Sequence, residues 1–158
     1  MPGGRVLFKT TIPLLTVIGV AYLAVGFIAL YNWAIGLTGN NKLMLWPQYI
    51  PGDLGVMLVS LASGLALSAV PYYYRQGRII EVYATALCGL GLAVAATAIQ
   101  VLATIATLLD TIIIGEEISS QDLVLQLSKI DTVLGYVSAI LLITYITAYK
   151  QRQLSYKE

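Results

Sequence analysis

The residues of this chain best suited to chemistry fall in one short stretch, QLSKIDTVLGY at 126–136, where Lys129 and Asp131 stand at the head of a long apolar run. Charged side chains inside a bilayer mark ion paths, proton relays or ligand counter-ions, whereas at its edge they are ordinary solvated groups. The depth of these two residues therefore bears directly on function.

Other chemistry is sparse. The sequence has no histidine, which removes the commonest metal ligand, the usual haem ligand and the usual general base near neutral pH. Cys88 is the single cysteine, so neither an intrachain disulfide nor a Cys-x-x-Cys site can form. Its Ala, Gly and Leu neighbours predict a small, packed, inert thiol. No span carries paired acids, and CGLGLA at 88–93 lies in an apolar helix, not at the strand-to-helix turn of a phosphate cradle. No catalytic, cofactor-binding or metal-binding residue is expected, and the chain is not expected to be an enzyme by itself. A net charge of +1 without a dense basic cluster argues against nucleic acid as a partner.

The elements that must position Lys129 and Asp131 follow from composition. The chain is 58% hydrophobic and 11% charged, with a mean hydropathy of +0.82. An ordinary soluble domain is about 25% charged. The fold class is an all-α integral membrane protein, a four-transmembrane-helix bundle forming one domain over 1–158. A crossing helix needs about 20 apolar residues, and the spans are expected at 12–37, 54–74, 82–109 and 131–149. The first is too long for a signal-peptide core and lacks a cleavage pattern, so a retained helix is expected, with Pro13 in its opening turn.

The positive-inside bias sets the orientation. Arg5, Lys9, Arg75, Arg78, Lys150, Arg152 and Lys157 share one side, while the other carries Lys42, Lys129 and most of the acids. Both termini are therefore expected in the cytoplasm and the chain in the cell membrane. Trp33, Trp46 and Tyr49 near the outer boundary, and Tyr72, Tyr73, Tyr74 and Tyr149 near the inner one, fit interfacial belts. Arg75 and Arg78 reach lipid phosphates in the same scheme.

Helix geometry then places the charges. Asp131 lies 18 positions before Tyr149, about 27 Å at 1.5 Å per residue, against a hydrocarbon core of about 30 Å. Both charges are expected at the outer edge, pointing to opposite sides of the helix and unable to pair with each other. Asp110, at the end of the third helix, is the expected contact of Lys129. Asp110 lies about 43 Å along a helix that starts near Glu81, so the third and fourth helices are expected to extend beyond the outer face as a hairpin over 103–131. Leu108, Ile112, Leu123, Leu127 and Ile130 would form its seam, with Gly115 and SSQD at 119–122 as caps. The TIIIGEEISS tip would meet lipid, its own hairpin or a partner. Leu43, Met44, Leu45 and Trp46 in the first outer loop, interrupted by Pro47 and Pro51, predict a segment lying flat at the membrane surface.

Small residues carry the helix-packing signal, because lipid gives no hydrophobic drive for association. Ser60, Gly64 and Ser68 recur on one face of the second span, Gly89, Ala93 and Thr97 on one face of the third, and Gly91 and Ala95 on another. The spacing leaves open whether these faces meet inside the chain or against a neighbour.

The function expected from these features is a non-catalytic accessory subunit of a larger membrane protein complex. A respiratory or other electron-transfer assembly is one setting, with packing and lipid contacts but no redox cofactor bound by this chain. Membrane lipids and other membrane subunits are the expected partners. The alternative is a small oligomeric transporter, a channel or a lipid-binding protein, with Gln100, Thr97, Ser138 and Thr144 as its polar groups within the spans.

Overall fold

The structure, a computed structural model, describes residues 3–114, 124–125 and 127–155. It is helical, with no strand among the described residues: α1 (Gly3–Leu37), a short 3-10 turn (Asn41–Leu43), α2 (Leu54–Arg75), α3 (Ile79–Ile114) and α4 (Ile130–Ser155). Four segments are long and apolar enough to cross a membrane, Thr11–Leu37, Leu54–Arg75, Ile79–Ile114 and Ile130–Thr147, which makes the chain compatible with a multi-pass membrane protein. Pro13 does not open α1 as expected; the helix starts at Gly3, so Pro13 stands in its interior and gives no N–H to the ladder.

Helices adjacent in sequence pack together, α1 on α2, α2 on α3 and α3 on α4, with a lighter contact between α1 and α4. Large apolar side chains such as Val17, Phe27, Leu58, Leu102 and Ile140 point outward, as expected where the surrounding medium is hydrocarbon. The interior instead depends on close approach. A Cβ on Gly64 would lie 2.8 Å from the Leu23 backbone nitrogen, and one on Gly19 2.8 Å from that of Ser68, so α1 and α2 cross nearly in backbone contact. Gly89 does the same for α2 and α3, where a Cβ would come within 2.7 Å of Leu67. At the crossing of α3 and α4 the glycine makes room for a side chain: a Cβ on Gly135 would fall 1.6 Å from Thr97 Oγ1. Ser60, Gly64, Gly89 and Ala93 are buried by neighbours within the chain and Ser68 is half-buried. Gly91 meets nothing within 4 Å and Ala95 is exposed, so the second small-residue face of α3 is open. Cys88 is exposed, not packed inside as expected, because it points away from the Gly89 face.

The connections are built locally. Asp53 caps α2, its carboxylate accepting from the Val56 N–H at 3.0 Å. Gly77, at φ 72°, turns the chain between α2 and α3 where a side chain would be strained. Beside it Arg78 pairs with Glu81 at 2.8 Å and lies 5.2 Å from the Tyr73 ring centre. This arginine is thus engaged within the protein. At the other end α3 continues to Ile114, but the expected hairpin tip falls on 115–123, outside the described residues. Of the expected seam, Ile112 and Leu127 are exposed and Leu108 and Ile130 half-buried, while Leu123 is also outside them.

Replacing Gly135 by valine should destabilise the bundle by about 1–3 kcal/mol through overpacking. Gly91→Ala should change it by less than about 0.5 kcal/mol. Thermal unfolding of both variants in maltoside micelles distinguishes a crossing set by Gly135 from one that tolerates a side chain.

Candidate functional site

Three polar knots, two at one end of the bundle and one near its middle, frame the candidate site. The first is Asn32 of α1, which is fully buried. Its Nδ2 donates to the carbonyls of Leu45 at 2.9 Å and Ile50 at 2.8 Å, and its Oδ1 accepts from the Leu45 N–H at 2.7 Å. The loop before α2 therefore folds back onto α1 instead of merely lying on a surface. Trp46 adopts φ 46° within it, and a Cβ on Gly52 would sit 2.8 Å from the Asn32 carbonyl carbon, so the strand of loop passes directly over the helix backbone. Ile50 is drawn into a small core with Val25, Ala29 and Met57. Leu43, Leu45 and Trp46 stay exposed on the outer side. The Tyr49 carbonyl accepts from the Ile130 N–H at 3.2 Å, tying the loop to the first residue of α4.

The second knot joins α3 to α4. Gln100 Nε2 donates to Asp131 Oδ2, and Thr132 Oγ1 donates to Gln100 Oε1 at 2.5 Å. The amide orientation is chemically forced: a carboxylate accepts, so the NH2 faces it, and the amide oxygen is left for the hydroxyl. Thr132 is buried, and Asp131 half-buried with its Oδ1 buried and lacking a hydrogen-bond partner. The third knot lies deeper, where the hydroxyls of Tyr22 and Ser138 share a hydrogen bond of 3.2 Å, both side chains being buried.

Between these knots a half-open cavity of about 460 Å³ runs between α2 and α3. Val56 and Val59 face Ala96 and Ile99 across it, and Tyr22 and Ser60 line its deep end. The polar side chains gather toward the loop end: Asp53, Gln100, Thr104, Thr107, Lys129 and Asp131. The threonine hydroxyls are already committed as donors to their own helix. Thr97 donates to the Ala93 carbonyl at 2.9 Å, Thr104 to Gln100 at 2.9 Å and Thr107 to Ala103 at 3.0 Å.

The expected geometry of Lys129 and Asp131 needs correction. Lys129 lies in a break before α4, not on a helix, so the two-residue spacing does not throw the side chains apart; both line this one cavity. Asp131 is not a free edge charge either, since Gln100 holds it. Asp110 is exposed, and among the described residues it makes no ion pair with Lys129, the ion pair present being Arg78–Glu81. Of the polar residues expected to serve one another, Gln100 lies in the knot, Ser138 meets Tyr22, and Thr144 donates to the Ile140 carbonyl at 2.8 Å on an exposed face. Asn32 and Tyr22 are the residues the sequence pattern does not single out. The available signal for Asn32 was an amide inside an apolar run, which is costly at that depth unless satisfied.

Among the described residues no group of three His, Cys, Asp or Glu side chains could hold a metal ion. No family model matches the chain, and no curated protein or solved structure matches it.

The knots predict measurable coupling. In a double-mutant cycle of Gln100→Ala and Asp131→Ala, unfolding in micelles should give an interaction of about 1–3 kcal/mol; a value under 0.5 kcal/mol would return Asp131 to the solvated edge. Asn32→Ala should leave three backbone groups unpaired and cost about 1–3 kcal/mol, with new proteolytic cleavage between Lys42 and Asp53 as the direct readout.

Proposed function

We propose that this chain is a non-catalytic integral membrane protein that takes an amphiphilic molecule laterally from the bilayer into the cleft between α2 and α3. The observation that carries this reading is the polarity gradient of the cavity. Its walls are apolar through Val56, Val59, Ala96 and Ile99, and its polar side chains cluster at one end. That is the arrangement a molecule with an apolar body and a polar head requires, and the volume of about 460 Å³ falls within the range of about 300–1,000 Å³ found for ligand sites. The half-open form gives access from the lipid, so no aqueous route through the bundle is needed. With the termini in the cytoplasm, as the basic residues favour, the polar end of the cleft stands in the outer leaflet.

A second reading rests on a different surface. The outward face of α3 carries Cys88, Leu92, Ala95, Ile99 and Leu102, all exposed, with Gly91 open beside them. Small residues on such a face permit close approach by another transmembrane helix. This supports the role of an accessory subunit in a larger membrane assembly, including an electron-transfer complex whose cofactors are carried by other chains. The two roles are compatible, because the cleft and the α3 outer face are largely separate.

Extraction in a mild detergent tests both. Native mass spectrometry should find the chain carrying one bound lipid or lipid-like molecule, lost in Ala96→Trp and in Val59→Trp while the helical circular dichroism is retained. Stoichiometric co-purifying subunits, with or without haem, flavin or iron–sulfur absorbance, would establish the second role. A bare monodisperse chain unaffected by either tryptophan would refute both.

A further inference from the structure

We propose, on the basis of the amphiphile-binding reading, that the ligand head is a primary ammonium group and that Asp131 is its counter-ion. The donor and acceptor balance of the cleft leads to this. The hydroxyl hydrogens of Thr104 and Thr107 are spent on backbone carbonyls, so these two lining side chains have only lone pairs to offer the cavity, and Thr97 is turned against Gly135. Asp131 Oδ2 receives Gln100 Nε2, while Oδ1 is buried without a hydrogen-bond partner. A buried carboxylate oxygen in this position needs a donor, and it is most strongly satisfied by a charged one. A ligand that brings N–H groups supplies that donor when the carboxylate turns Oδ1 to the cavity.

Charge leads to the same head group. The described lining residues include two carboxylates, Asp53 and Asp131, and one ammonium, Lys129, a net of −1. Lys129 makes no ion pair with Asp131 among the described residues, although both line the cavity. One cation from the ligand neutralises the lining, and a carboxylate deprived of water at membrane depth favours that neutralisation. An anionic head would gain Lys129 but face two carboxylates and the lone pairs of Thr104 and Thr107. A quaternary ammonium carries the charge but has no N–H for Oδ1. Gln100, itself held by Thr132, fixes the carboxylate through Oδ2, so Asp131 is held in place to receive the head while the apolar body runs along Val56, Val59, Ala96 and Ile99.

The same N–H3+ chemistry occurs on a simple alkylamine and on an aminophospholipid, and the experiment separates them. The full chain, released from maltoside micelles, is titrated in native mass spectrometry with dodecylamine, dodecyltrimethylammonium, lysophosphatidylethanolamine and lysophosphatidylcholine. At least one primary ammonium should bind about tenfold or more tightly than its trimethylated counterpart, as expected for one added charge-assisted hydrogen bond. Whichever primary ammonium shows the preference identifies the source. Asp131→Asn keeps the shape and an acceptor for Gln100, and should abolish the preference. Lys129→Gln, which removes a like charge from the lining, should tighten dodecylamine; weaker binding would count against the charge balance. Equal binding of primary and quaternary heads, indifferent to Asp131→Asn, would overturn the head-group assignment and leave amphiphile binding standing. Failure of all four probes to bind in a site sensitive to Ala96→Trp would overturn both.

Discussion

A polar group at membrane depth has no water to fall back on, so its partner has to be supplied by the protein itself. That constraint organises this bundle. Each span brings at least one polar side chain into the interior, and several are satisfied by a different element: Asn32 by the loop, Gln100 by α4, Tyr22 by Ser138; Thr97 and Thr104 turn back on their own helix, and Ser63 Oγ is buried without a partner. These cross-links are individually modest, about 0.5–1.5 kcal/mol net for a neutral hydrogen bond. Their directional geometry constrains how α1, α3 and α4 are rotated about their axes. With those rotations set, the glycines of α1, α2, α3 and α4 face the neighbours that need the space.

Close crossing and open cleft are two consequences of the same helix pair. Gly89 lets α2 and α3 meet at Leu67, toward the Arg75 end. Past Ser60 and Ala93, the facing residues are Val56, Val59, Ala96 and Ile99, and the space between them is a cavity, not a seam. Small side chains on α3 thus serve packing at one end of the pair and vacant volume at the other.

The four spans were legible in the sequence because hydropathy sums along a helix, and the observed segments agree with the expected ones to within a few residues except where α3 runs on to Ile114. The small-residue register was legible for the same kind of reason: Gly64 and Gly89 sit where periodicity puts them on a packed face. What a linear pattern does not carry is pairing at long range. Nothing local to Gln100 points to Asp131, and nothing local to Asn32 points to Leu45 and Ile50. The break at Lys129 was equally hidden, since SKID contains no proline or glycine to signal it, and a continuous helix was the natural assumption. That one break reverses the relation of Lys129 to Asp131, from opposite faces of a helix to a shared lining.

The backbone tie from Tyr49 to Ile130 has a mechanical meaning. Through the Asn32 side chain, the close approach of Gly52 and that tie, the ends of α1, α2 and α4 are held together by the loop before α2. Among the described residues, the hydrogen bonds that bring α3 to this end run through the side chains of Gln100, Asp131 and Thr132. Both α1 and α3 are thus joined to the loop end of the bundle by one amide side chain each, so the amides of Asn32 and Gln100 set how the wide end of the α2–α3 cleft is closed off.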